Sequence, residues 1–167
     1  MKRNWKLWAL LLAIGLQLFV LAGELIGAAY PLWTGQQIRL QVEPIDPRSL
    51  FRGNYARLNY EIGSVTTDSA EAQTYRKGEI VYVHLKGDAR GIMRATGVSL
   101  TPPNDGLFIR GRAKWANESG SKLRVTYGIE AYFLPREKAL ALEKDLRREK
   151  AVAVIMLADS GKASLVE

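Results

Sequence analysis

Seven of the residues best suited to recognition chemistry fall in one short window, DPRSLFRGNYARLNYEIG (46–63): Arg48, Phe51, Arg52, Gly53, Asn54, Tyr55 and Tyr60. An eighth, Glu130, lies in a second window, RVTYGIEAYFLPRE (124–137). Guanidinium forks, phenols and a carboxylate are the groups that hold a partner by hydrogen bonds and ion pairs. They do not by themselves break bonds. Ser49 adds a hydroxyl, but a serine nucleophile needs a base beside it. The chain has no cysteine and one histidine, His84. Disulfides, thiolate metal sites and cysteine nucleophiles are therefore excluded, and no histidine metal site or Ser-His-Asp triad can be built without His84. Strand parity sets His84 opposite Val81, Val83 and Leu85, as an exposed strand histidine with no evident partner. No phosphate-binding loop or dinucleotide fingerprint occurs. The carboxylate pairs Asp46/Glu61 and Glu130/Glu137 read as solvated charges. Catalytic residues, metals and cofactors are accordingly not expected.

A plainer account of the first window competes with the docking one. Pro44 and Pro47 stiffen the approach, Arg52-Gly53-Asn54 makes a turn, and Leu58 and Tyr60 face a core. That explains Gly53, Leu58 and Tyr60. It leaves Arg48, Phe51, Arg52 and Tyr55, with Glu130, as residues lining a groove or touching a partner.

The elements that would position these residues begin with an anchor. After MKRNWK, the span Leu7–Trp33 carries a single charge, Glu24, and can cover a hydrocarbon core that needs about 20 helical residues. Trp5 and Trp8 flank one end, Tyr30 and Trp33 the other, as interfacial aromatics do. Lys2, Arg3 and Lys6 should stay in the cytoplasm, which predicts a single pass through the inner membrane with residues 34–167 outside. A cleaved signal peptide, with Gly27 and Ala29 before the cut, is the competing reading. Its apolar region would be about 7–15 residues, so the length favours an uncleaved anchor over residues 1–33. Glu24 reads as an interfacial carboxylate, and Pro31 with Gly35 as the end of the helix.

Residues 34–167 read as mainly β with one helix, in a mostly antiparallel domain. QIRLQVE alternates Ile38, Leu40 and Val42 with polar neighbours. NYARLNYEI does so with Ala56, Leu58, Tyr60 and Ile62. Residues 64–78 read as a polar loop or short helix. EIVYVHLKGD, GIMRATGVSL, GLFIRGRAKW and KLRVTYGIEAYFL are further strands, seven or so in all, and AVAVIMLA with KASLVE forms a terminal hairpin about Asp159-Ser160-Gly161. Pro135 opens the one good soluble helix, REKALALEKDLRRE. The net charge is +7. Beyond the basic tip that excess looks scattered among acids, which argues against nucleic-acid binding.

DPRSLFRGNYARLNYEI resembles the signature of the bacterial GDYXXLXY proteins, whose name spells the motif. Gly53, Tyr55, Leu58 and Tyr60 match it, whereas Asn54 replaces the usual Asp, keeping a turn-forming side chain and losing a charge. GVSLTPPNDGLFIRGR and YGIEAYFLPRE resemble later blocks of that family, so the likeness spans roughly 36–145. It implies a membrane-tethered domain, often encoded with polytopic membrane proteins, and no established reaction. A looser resemblance, to type I signal peptidases, implies a signal-peptidase-like β domain. Their serine box aligned on Leu50, Gly53 and Asn54 puts Ile45 at the nucleophile. Their lysine box laid on IMRATG (92–97) puts Met93 at the base. Neither side chain can donate or accept a proton at neutral pH. The expected function is thus a non-enzymatic anchored module, with the lipid bilayer and a polytopic membrane protein as partners, and an extended peptide at a strand edge as a further ligand. The alternative is a hydrolase with a relocated nucleophile such as Ser49.

Overall fold

The computed structural model describes residues 4–43, 55–67, 75–116, 121–133 and 151–166. The predicted helix 136–149 lies outside them, as do Pro44, Ile45 and Ser49. Eleven strands are described: β1 (Gln36–Glu43), β2 (Tyr55–Arg57), β3 (Asn59–Tyr60), β4 (Ser64–Thr66), β5 (Ile80–Gly87), β6 (Ile92–Ser99), β7 (Leu107–Ala116), β8 (Lys122–Thr126), β9 (Ala131–Phe133), β10 (Val152–Leu157) and β11 (Ala163–Leu165). Nine build one sheet in the order β11-β10-β1-β6-β5-β7-β8-β4, with β3 also on β1, while β2 and β9 pair as a separate ribbon. All described pairings are antiparallel except β1 with β6, so the sheet is mixed and mostly antiparallel.

Period-two alternation, the physical signature of a sheet with one buried face, holds through most of it. Val81, Val83 and Leu85 of β5 are buried, as are Ile38, Leu40 and Val42 of β1 and Ala153, Ile155 and Leu157 of β10. Gln41 breaks the pattern at only 4% exposure; its amide Nε2 donates to the Ala151 carbonyl at 2.8 Å, which satisfies the buried group. Two predicted strands are divided. NYARLNYEI is interrupted at Leu58 and closes in a 3-10 turn at Glu61–Gly63, although Leu58, Tyr60 and Ile62 do share the buried side. KLRVTYGIEAYFL bends between Thr126 and Ala131.

The sheet also curls back on itself. In the turn joining β10 to β11, Gly161 accepts the Arg110 N–H of β7 at 2.8 Å. A Cβ there would stand 2.6 Å from a Phe108 ring carbon, and φ is +76°, so both space and backbone require glycine.

Ahead of the sheet, α1 (Trp5–Thr34) is a 30-residue helix, long and apolar enough to cross a membrane. It runs through Pro31 for three more residues and ends at Thr34 with Gly35 as its cap, within the stretch expected to close it. Proline has no N–H for the carbonyl four residues earlier, here Gly27. Lys162 supplies the missing donor: its Nζ donates to the Gly27 carbonyl at 2.5 Å, and Ser164 Oγ lies 3.5 Å from the next carbonyl, Ala28. Pro31 itself is buried against the domain. The last turns of α1 are thereby fastened to the β10–β11 hairpin.

Lys162→Met should leave the Gly27 carbonyl without a donor and lower the unfolding free energy by about 1–3 kcal/mol. Pro31→Ala restores a helical N–H to that carbonyl, so Lys162→Met should cost less in that background. Chemical unfolding in detergent micelles measures both, and equal costs would refute the coupling.

Candidate functional site

The two windows singled out in the sequence meet. Tyr55 pairs with Phe133, Ala56 with Tyr132 and Arg57 with Ala131 across the β2–β9 ribbon, and the Leu58 N–H donates to the Glu130 carbonyl at 2.8 Å. Beyond the ribbon the segments exchange two phenol hydrogen bonds. Tyr60 Oη donates to the Ile129 carbonyl at 2.9 Å, and Tyr127 Oη to the Ile62 carbonyl at 2.5 Å. Burial pushes both hydroxyls well above the usual phenol range, and the nearby Glu130 carboxylate pushes the same way. Tyr60 is 2% exposed and belongs to the core, with an edge reaching the cleft above. Glu130 is half-buried, its two oxygens accepting the Tyr127 N–H at 2.6 Å and the Gly128 N–H at 2.9 Å. It is not a solvated charge but the brace of the bend. Arg48, Phe51, Arg52, Gly53 and Asn54 lie outside the described residues, and Tyr55 is described only in its backbone pairing.

Space for Tyr127 comes from Gly111 on the neighbouring strand. A Cβ at Gly111 would sit 2.4 Å from Val125 Cγ1 and 2.9 Å from Tyr127 Cδ1. The residues alternating with Gly111 and Ala113 on β7 point outward: Arg110, Arg112 and Lys114 are exposed. A β-bulge follows, since Ala113 pairs with Val125 but Trp115 with Arg124, leaving Lys114 as the extra residue. A bulge re-aims side chains. Here it turns consecutive Lys114 and Trp115 both to the surface, with Trp115 57% exposed.

Two adjoining clefts result, sharing Lys114, Thr126, Tyr127 and Glu130. One, of 280 Å³, adds Asn59, Tyr60, Trp115 and Arg124; the other, of 470 Å³, adds Ile80, Arg110, Arg112 and Gly128. Four cations therefore border one groove whose single carboxylate is already engaged by backbone N–H groups. Part of the basic charge is thus gathered at one place rather than scattered. Sequence reading overlooked Arg110, Arg112, Lys114, Trp115 and Arg124, yet the signal was there: in RGRAK, basic residues recur at the strand period.

Other candidates resolve into structural roles. His84 does have a partner, with Nε2 2.9 Å from Ser99 Oγ. Because that hydroxyl donates to the Thr101 carbonyl at 2.6 Å, the ring N–H is the donor and the serine proton is not aimed at the imidazole. The pair is not a nucleophile and its base. Glu61 forms an ion pair with Arg94, which also reaches Asp88 at 3.3 Å. The N–H groups of Ile92 and Arg90 hold the Asp88 carboxyl below the usual carboxylate range. Met93 packs against the core. Among the described residues no group of three or more His, Cys, Asp or Glu could hold a metal.

Residues 17–167 match the profile of the GDYXXLXY protein family, extending the likeness into the helix and the terminal hairpin. The chain belongs to the GDYXXLXY family. No curated protein and no solved structure matches it. In this GDYXXLXY protein the name-giving Leu58 and Tyr60 are core residues, and the motif's final tyrosine is one half of the phenol clamp.

Gly111→Ala should lower stability by about 1–3 kcal/mol through overpacking, whereas Gly97→Ala, whose added methyl meets nothing within 4 Å, should leave it within about 0.5 kcal/mol. Thermal unfolding compares them. Because both tyrosines hold their protons more tightly when folded, stability should be full below pH 10, the ordinary value, and fall as pH rises above it. Tyr60→Phe and Tyr127→Phe should each flatten that fall while lowering the neutral-pH baseline by about 1–3 kcal/mol, for the buried carbonyl left without a donor. An alkaline slope unchanged in both variants would refute this.

Proposed function

We propose that this GDYXXLXY protein is a membrane-anchored, non-enzymatic binding module that docks on a polytopic membrane protein. In this reading α1 crosses the inner membrane once, the basic tip of Lys2, Arg3 and Lys6 stays in the cytoplasm, and the β domain stands outside. The fastening of α1 to the terminal hairpin carries the proposal. A 30-residue helix is about 45 Å long, and a hydrocarbon core of about 30 Å uses only about 20 residues of it. The surplus turns are the ones tied to the domain by Lys162 and Pro31. Glu24, three residues before Gly27, then falls near the outer boundary, where a carboxylate reaches water at small cost. A domain held stiffly to its anchor presents one face to a neighbour in the bilayer. The reversed hydroxyl of Ser99 and the engaged oxygens of Glu130 suit holding better than cutting.

The absence of native cysteine makes a topology test clean. Lys86→Cys, at an exposed position, should react with a membrane-impermeant maleimide in intact spheroplasts; protection until lysis would overturn the orientation. A photo-crosslinking amino acid at position 55 or 115 should join the protein to an integral membrane protein in cells. Adducts to lipid alone at both positions would sink the docking reading.

A further inference from the structure

The groove over β7 and β8 has the dimensions of a particular ligand. Same-face residues on a strand stand about 6.7 Å apart, so Arg110, Arg112 and Lys114 form a ladder about 13 Å long. Arg124 lies beside its far end, opposite Trp115 in the strand register. Among the described residues, none of these four cations forms an ion pair; Arg112 spends one donor on the Gly78 carbonyl at 2.9 Å. We propose that the ladder receives an extended acidic polypeptide segment carrying carboxylates at every second residue, with a following apolar side chain resting on Trp115. This rests on the reading of the chain as a docking module and names what it docks.

Charge complementarity and spacing select this occupant. An extended chain repeats with the same period as β7, so carboxylates at alternate positions meet successive cations without bending either backbone. The ladder is also too long for a lipid headgroup. Its near end, Arg110, is bonded through its backbone to Gly161, next to the Lys162 that holds the helix. Lys114 lies about 13 Å further along the strand, so the ladder is longer than the roughly 5–8 Å thickness of one headgroup layer. Trp115 supplies a large, rigid apolar anchor at the rim of the charged track, the kind of residue that concentrates binding energy. Glu130, between the two clefts, is one carboxylate against four cations, so the groove stays net positive.

The test uses the full chain in phosphatidylcholine nanodiscs and two peptides of equal charge. One is Glu-Thr-Glu-Thr-Glu-Thr-Phe; the other spaces its glutamates at every third residue, so that neighbours point to opposite sides. The first should bind at least about tenfold more tightly, and its affinity should fall with added salt. Lys114→Glu and Arg110→Glu should each weaken it by about tenfold or more, with thermal unfolding unchanged, and Trp115→Ala should weaken it without altering the salt dependence. Equal binding of both peptides, or no effect of charge reversal, would overturn the proposal. So would charge-reversed variants that lose retention of phosphatidylglycerol while peptide affinity stays the same. If the charge-reversed chain still crosslinks its membrane partner from position 55, the docking module stands and the acidic-ligand assignment falls.

Discussion

The missing side chain of Gly111 is the constraint on which both core and groove depend. The Tyr127 ring packs where a Cβ on Gly111 would stand, and only from there can its hydroxyl reach the Ile62 carbonyl. The reciprocal bond, Tyr60 to Ile129, closes a clamp between the family motif and the bend after β8. Both phenols are buried with their donors satisfied, so the clamp is stable where a lone buried hydroxyl would be costly. Glu130 then fixes the bend from its outer side. Core packing, the position of the motif and the shape of the groove are consequences of one close approach between β7 and its neighbour.

A second dependency joins the domain to its helix. A proline in a helix normally leaves an unmet carbonyl and a kink. Here the unmet carbonyl is an attachment point, because Lys162 comes from a hairpin tip already drawn toward β7 by the Arg110–Gly161 bond. The apolar helix, the hairpin and Arg110 of the cationic strand are linked in series.

The motif that names the family is chiefly architectural in its second half. Leu58 and Tyr60 fill the core, and Glu61 is drawn into the Arg94–Asp88 cluster that steadies the turn after it. Asn at position 54, where the motif has Asp, keeps a turn-forming side chain and loses a negative charge. Among the described residues, the outward positions of β7 and β8 gather four cations around one groove.

The residue pattern announced the long apolar helix, the mainly β character of the rest, the terminal hairpin and the inward set on β1 and β5, whereas β10 is apolar on both sides and gave no face. Each is written in local periodicity, which the backbone repeat converts directly into a face. The family was legible too, from Gly53, Tyr55, Leu58 and Tyr60. Only the assembled fold decided the division of NYARLNYEI, the Lys162 donor to the Gly27 carbonyl, the Ser99 partner of His84 and the pairing of Glu61 with Arg94. It also decided the groove. RGRAK announces an alternating strand, but only the bulge at Lys114 and the register with β8 bring Trp115 and Arg124 to the same surface. These features depend on contacts between residues far apart in the chain, and one-dimensional spacing holds no record of which distant carbonyl, ring or cation will be brought alongside.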